Sequence, residues 1–308
     1  MASAVVFAYH NVGVRCLSVL LAHGVDVRLV VTHQDNPNET IWFGSVAELA
    51  RRHGIEVITP TDPNTAAVIE QIRACRPDFI FSFYYRNMLK REILVLAPCG
   101  AYNMHGSLLP KYRGRVPVNW AIIHGESETG ATLHVMNEKP DNGAIVDQQA
   151  VPILPDDTAS EVFDKVTVAA EMALNRCLPA LLDGNARLTK QDLRLGGYFG
   201  GRKPEDGRID WYQSAATIHN LIRAVAPPYP GAYCEIDGQT VKLLRSMRIK
   251  ADGLPAFAAP TLFTRNNRLL AQAGDGGYLA ILDMEYNGEQ ITPQAFAQRF
   301  GEVCPLAR

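Results

Sequence analysis

An asparagine and a histidine two residues apart, Asn103 and His105, close a short apolar run and lead into Gly-Ser-Leu-Leu-Pro at 106–110 and then Arg113-Gly114. On a strand, side chains at i and i+2 project from one face, so this spacing brings an amide donor and a titratable imidazole together. Asp141 lies on a Pro-Asp-Asn-Gly turn, Pro140 to Gly143, which presents a carboxylate on an exposed loop able to fold back toward the histidine. An amide that donates to an oxyanion, with an imidazole and a carboxylate that move protons, suits acyl transfer to a nitrogen. Taken singly, each has a plainer reading: a histidine satisfied by backbone, a turn amide, a turn carboxylate.

The elements that must position these groups alternate along the chain. Ala4 to Tyr9 reads as a strand, Gly13 to Leu21 as a helix closed by Gly24, and Val25 to Thr32 as a second strand. A capping box, Ser45-x-x-Glu48, opens a helix ending at His53-Gly54, and Glu56 to Thr59 is a third strand. A helix over Thr65 to Arg76, a strand over Phe79 to Phe83, a helix over Arg86 to Leu96, a strand over Ala101 to Met104 and a helix over Val116 to His124 follow. Ala131 to Met136 and Gly143 to Val151 are expected as neighbouring strands, and Asp157 or Thr158 as the cap of a long helix ending near Gly184. The alternation predicts a mostly parallel α/β sheet with helices on both faces. Gly196 to Gly207 has the composition of a linker. Beyond it come a helix over Ala215 to Ala226 and strands at Ala232 to Ile236, Thr240 to Leu244 and Leu279 to Leu282, a small β domain. The expected domains are 1–200 and 206–308.

Composition narrows the function. The chain has 308 residues, 30 Lys plus Arg against 32 Asp plus Glu, and a net charge of −2, so no basic excess is available to hold a nucleic-acid backbone. His10, Asn11 and Arg15 interrupt the apolar residues of Met1 to Leu21, and neither a signal peptide nor a membrane span fits there. Six scattered cysteines without a CxxC point to a reduced cytoplasm. The first strand is followed by His10-Asn11-Val12-Gly13, not by G-x-G-x-x-G, which argues against a dinucleotide. The other histidines, His124 and His134 among them, lack ligand spacing and read as structural, and no metal is implied.

The stretch 103–114, N-M-H-G-S-L-L-P-K-Y-R-G, together with Asp141, resembles the signature of enzymes that transfer a formyl group from 10-formyltetrahydrofolate to an amine, in which Asn, His and Asp form the catalytic trio. The likeness extends over most of the chain. Residues 81–86, 108–115, 143–146 and 228–232 are similar to the formyltransferase domains of the ArnA type, found in bifunctional polymyxin-resistance enzymes. That resemblance implies a Rossmann-like N-terminal formyltransferase fold, a C-terminal domain related to OB folds, and UDP-4-amino-4-deoxy-L-arabinose as acceptor, with a product destined for modified lipid A. It further implies folate contacts at Asn87, Met88, Leu89, Arg115, Asn137, Glu138, Lys139 and Pro140; Asn87 to Leu89 could equally be the first turn of a helix. ArnA enzymes continue into a dehydrogenase domain beyond the point matching Arg308, so the sequence reads as a free-standing formyltransferase or a fragment.

Charge separates this acceptor from methionyl-tRNA, the alternative within the family. The segment His33 to Gly44, where tRNA enzymes carry a basic insertion, holds Asp35 and Glu39 and no Lys or Arg. Residues 206–308 carry 10 Lys plus Arg and 10 Asp plus Glu, so the second domain is neutral where a tRNA clamp should be basic. A nucleotide-linked amino sugar fits better, whether UDP- or dTDP-linked. Arg202 at the domain junction and Arg223 near Tyr229 are candidates for its diphosphate, or else a linker charge and a helix surface charge. His10 and Asn11 end the first strand, where ligands of α/β sheets are met. From a different class, a folate or nucleotide-sugar binding protein without turnover is the remaining reading.

Overall fold

The computed structural model describes residues 1–37 and 40–306; Glu39 and Arg308 lie outside the described residues. Two compact bodies are present. The first comprises Met1–Pro117, Glu128–Val151 and Asp164–Gly200, the second Val118–Ser127, Pro152–Phe163 and Gly201–Arg308.

In the first body the chain runs β1 (Ser3–Ala8), α1 (His10–Ala22), β2 (Asp26–Val31), α2 (Val46–Arg52), β3 (Val57–Ile58), α3 (Ala66–Cys75), β4 (Phe79–Phe83), α4 (Arg91–Leu94), β5 (Ala101–His105) and the short β6 (Arg113–Gly114). After α5 (Pro117–Ile123), β7 (Glu128–Val135) and β8 (Ile145–Pro152) complete a seven-stranded sheet of order β3-β2-β1-β4-β5-β7-β8. Every residue of β1 and β4 is buried, as expected of continuous apolar strands covered on both faces. Strands β1 to β5 run parallel, but β7 pairs antiparallel to β5. Apolar patterning identifies a strand; its direction depends on where the preceding chain delivers it. The long helix α6 (Ala159–Leu182) opens on a capping box in which the Thr158 N–H donates to Glu161 Oε2 at 2.7 Å, so Thr158 is the cap.

Two expectations are corrected. Residues 86–90 are not helical: the Arg86 N–H donates to His33 Nε2, the Lys90 N–H to Asn64 Oδ1, and Asn64 Nδ2 to the Met88 carbonyl, so side chains from neighbouring loops take the groups a helix would use. The presumed linker is also partly ordered, because β9 (Tyr198–Phe199) pairs in parallel with β6 as a separate two-stranded sheet. Its glycines serve close approach. A Cβ on Gly196 would lie 1.9 Å from the Pro110 carbonyl oxygen, and across the pairing a Cβ on Gly114 of β6 would lie 2.1 Å from that of Phe199.

The second body carries α7 (Ala215–Ala224) and an antiparallel sheet built from β10 (Ala232–Ile236), β11 (Gln239–Ile249), β12 (Thr261–Arg265), β13 (Arg268–Gln272) and β14 (Tyr278–Tyr286), with β15 (Glu289–Gln290), α8 (Pro293–Phe300) and β16 (Val303–Pro305) following. Ile218 and Ile222 of α7 and Phe296 of α8 join Leu243, Leu262 and Ile281 in its core. Strands β12 and β13 are extra to the sequence expectation; the hairpin between them turns through Asn266 and Asn267, both with positive φ. Among the described residues no helix is long and apolar enough to cross a membrane.

Candidate functional site

Asn103 and His105 lie two apart on β5, between parallel β4 and antiparallel β7. The pairing of β5 with β7 sets Asn103 opposite His134 and His105 opposite Thr132. Asn103 Nδ2 donates to His134 Nε2 at 3.2 Å, and His134 Nδ1–H donates to the Val135 carbonyl at 2.9 Å. The second bond leaves the Nε2 lone pair for the Asn103 amide. His105 Nε2–H donates to the Tyr112 carbonyl at 2.8 Å, which turns Nδ1 toward Asp141 Oδ1, 3.6 Å away. The same carboxylate oxygen stands 3.5 Å from His134 Nε2, while Oδ2 accepts the Gly114 N–H at 2.8 Å. The three expected residues are therefore brought together. His134 lies beside them, bonded to Asn103 and 3.5 Å from Asp141; its sequence context assigns it only a structural place, and its cross-strand pairing with Asn103 is what brings it here.

Asp141 adopts φ +54°, a left-handed conformation that costs of order 1–3 kcal/mol in a non-glycine residue and persists where its surroundings over-determine it. Two residues on, Gly143 is pressed against β7: a Cβ there would lie 1.8 Å from the Val135 carbonyl oxygen. The loop after His105 is also fixed from β7 and β8. Thr132 Oγ1 donates to the Ser107 carbonyl at 2.6 Å and accepts from the Leu109 N–H, and Gln148 Nε2 reaches both Thr132 Oγ1 and the Leu109 carbonyl at 2.8 Å.

Charge in this cluster follows from burial and pairing. Burial lowers the pKa of His105, against the Asp141 charge and the Tyr112 carbonyl, which raise it; burial wins and the resting imidazole is neutral. Asp141 does raise the imidazole's pKa, but less than burial lowers it. For Asp141 itself, burial opposes ionisation, but the positive charge that His105 and His134 bring when protonated, with the Gly114 N–H, holds the carboxyl well below the usual carboxylate range. A neutral base beside a fixed carboxylate is poised to gain a proton and to have the resulting charge stabilised.

The other expected contacts divide. Met88 is exposed, whereas Leu89 is 4% exposed and packs in the core of the first body, so its side chain is unavailable to a ligand. Asn87 Nδ2 donates to the Thr61 carbonyl at 3.0 Å. Arg115 is exposed, and its N–H donates to the Phe199 carbonyl. Asn137 Oδ1 accepts the Lys139 N–H, Glu138 pairs with Arg91 at 3.4 Å, and Lys139 is exposed while Pro140 is half-buried. His10 packs against Phe43 at 4.0 Å between ring centroids, and burial, with Arg86 nearby, pushes its pKa down to about 3. Asn11 Oδ1 accepts the Gly44 N–H at 2.8 Å and so holds the 40–44 stretch.

Within the second body, Arg202 lies over the Trp120 ring at 4.9 Å and donates to the Asp206 carbonyl. Arg223 is buried and gives its donors to the Leu154 and Asp157 carbonyls and to Asn220, a structural clamp that leaves its guanidinium committed within the protein. Tyr229 is half-buried against the core, and burial raises its pKa although Asn119 opposes this.

The formyl transferase family model matches residues 16–178, more than half of the chain, and the formyl transferase C-terminal domain matches 202–301. The chain belongs to the formyl transferase family. Solved structures share the fold of this formyl transferase. An N-formyltransferase from Helicobacter canadensis, in complex with folinic acid and dTDP-3-aminofucose, is 21% identical with TM-score 0.69 over 91% of this chain and 99% of its own. WlaRD, a sugar 3N-formyl transferase solved with dTDP and 5-N-formyl-THF, is 20% identical with TM-score 0.71 over 94% and 99%. HypX from Aquifex aeolicus, in complex with tetrahydrofolic acid, is 19% identical with TM-score 0.62 over 97% of this chain and 47% of its own. Among the described residues of the formyl transferase, no group of three or more His, Cys, Asp or Glu side chains is placed to hold a metal ion.

Proposed function

We propose that the protein transfers a formyl group from 10-formyltetrahydrofolate to the amine of a nucleotide-linked amino sugar, specifically UDP-4-amino-4-deoxy-L-arabinose, in the cytoplasm and on the route to modified lipid A. The observation that carries the chemistry is His105 Nδ1 3.6 Å from the Asp141 carboxylate, with the Asn103 amide two residues away on the same strand. 10-Formyltetrahydrofolate supplies the formyl carbonyl. Asn103 donates to the oxygen that becomes an oxyanion, a contact worth about 2.7–4 kcal/mol where such donors have been removed. His105 takes the proton of the attacking amine and returns it to the departing nitrogen. While it is charged, Asp141 stabilises it by about 4 kcal/mol, the attraction of unit charges near 4 Å in an effective dielectric of about 20.

Features of the first body suit a folate. Exposed Met88 offers an apolar surface, and Asn142 Oδ1, next to Asp141, is a buried acceptor with no partner among the described residues, suited to a donor-rich ring. Asn87, Arg115 and the backbone of 137–140 complete the proposed contacts.

The acceptor reading rests on charge and on a cavity. A cavity of about 370 Å³ opens at the carboxyl ends of β1, β2 and β3, lined by Tyr9, His33, Asp35, Phe43, Ser45 and Arg51. In the sheet, β1 stands two strand spacings from β5, about 10 Å. An acceptor with its amine at the trio and its nucleotide in this aromatic cavity must therefore be elongated, which a diphosphate-linked sugar is. His10 packs against Phe43 and Asn11 holds the Gly44 N–H, so both support residues of the cavity wall from behind. The described residues between His33 and Gly44 bring no cation for a tRNA. The deciding assay offers 10-formyltetrahydrofolate with UDP- and dTDP-linked amino sugars and, separately, charged initiator tRNA. Formylation of the UDP-linked 4-amino sugar with the highest kcat/KM is expected; formylation of tRNA alone would overturn the reading.

A further inference from the structure

Gln191 is buried, at 7% exposure, and lies in the stretch that follows α6. Two residues earlier, Thr189 exchanges a pair of backbone hydrogen bonds with Ile145, which ties this stretch to the start of β8 and delivers Gln191 beneath the Pro140–Gly143 turn. Its side-chain amide uses both hydrogens there. Nε2 donates to the Asp141 carbonyl at 3.1 Å and to the Gly143 carbonyl at 2.6 Å. Both carbonyls follow the left-handed Asp141 residue, one directly and one two residues on, so one amide pins the turn where it leaves the strained step.

The same stretch also places the partner of the carboxylate. The Arg113 N–H donates to the Gly197 carbonyl at 3.0 Å and the Arg115 N–H to that of Phe199 at 2.9 Å, which orients the intervening Gly114 N–H toward Asp141 Oδ2. One segment thus sets the two ends of the Gly114–Asp141 bond, Gln191 holding the acceptor side and Gly197 to Phe199 the donor side.

We propose that Gln191 is a positioning residue for formyl transfer: through the Asp141 and Gly143 carbonyls it holds the Asp141 carboxylate against His105. The proposal rests on the reading of Asp141 as the partner of His105, and it is independent of which amine is formylated. Gln191→Met keeps the length of the side chain and removes the donors. The expected result is a kcat lower by about 10- to 100-fold, as for a misplacement near 1 Å, with KM changed far less. His105 should titrate at lower pH by NMR, because it loses its counter-charge. Gln191→Glu presents a carboxylate to two carbonyls; it should be at least as impaired at neutral pH and regain activity as acid protonates it into a donor.

If Gln191→Met fails to fold, Gln191→Glu carries the test through the same NMR titration and pH profile. A wild-type His105 titration in a folded variant overturns the proposal, whatever happens to kcat, and so does wild-type kcat. Asp141→Asn separates the two readings: if it keeps full activity, the trio itself falls, whereas the Gln191 proposal fails alone when Asp141→Asn is impaired and Gln191→Met is not.

Discussion

The strand half of the site and the turn half are held by different means. Asn103 sits in a ladder paired on both sides and His105 in its pairing with β7, so their positions follow from β4, β5 and β7 whether or not the site works. Asp141 sits on a turn with a left-handed residue and a glycine pressed on a carbonyl, held through side-chain amides and single N–H groups. A substitution in the ladder should remove chemistry and leave stability; one in the turn should disturb both. Strain gathers where no regular element can place a carboxylate.

The comparison breaks most visibly at His105. His105→Ala should lower kcat by about 10²- to 10⁴-fold, the usual range for a general acid–base group, while the thermal midpoint stays near wild type. Asn103→Ala should cost about 10²- to 10³-fold in kcat, again with the fold intact; near-normal turnover in both would remove the strand half from the mechanism. In the turn half, Gly143→Ala must push a methyl into the Val135 carbonyl. Urea denaturation should show a loss of about 1–3 kcal/mol, with activity falling in parallel. His134→Ala removes one hydrogen bond to Asn103, worth about 0.5–1.5 kcal/mol, and should lower kcat by roughly 3- to 10-fold.

The smallest effect is on stability against pH. His10, His105 and His219 all have folded pKa values lowered by burial, so the unfolded chain binds more protons as the solution is acidified. Their contribution is fully present above the unfolded value of about 6.5 and is lost as pH falls below it, down to about 3 for His10. Asp141, also lowered, keeps its contribution above about 3.9 and loses it only in stronger acid. Urea midpoints should therefore decline between pH 7 and pH 5, and less steeply in His105→Gln. A flat midpoint over that interval would contradict the neutral imidazoles.

Much of this was legible in the residues, for reasons that differ by element. The runs at Phe79 to Phe83 and Ala232 to Ile236 coincide with their strands because a buried strand needs only a short apolar stretch bounded by turn residues. The Ser45 cap was legible because its hydroxyl accepts from Glu48 three residues on, a local bond that spacing reveals. The helix expected over Arg86 to Leu96 shrank to Arg91–Leu94 because its first donors and acceptors go to His33 and Asn64, partners far away in sequence. Arg223 resembled a free surface cation on α7, yet it closes on carbonyls 66 and 69 residues away.

By itself the sequence determined which groups the proposed chemistry would use: Asn103 and His105 stand at strand spacing, Asp141 lies on a turn, and each of those is a local property of a few neighbouring residues. The tertiary structure decided what spacing cannot reach. The antiparallel pairing of β7 makes His134 a neighbour of Asn103, and the return of the chain after α6 places Gln191 under the Asp141 turn. It also decided the protonation of His105, because burial is a sum over all the elements packed around a group and no single stretch of residues carries it.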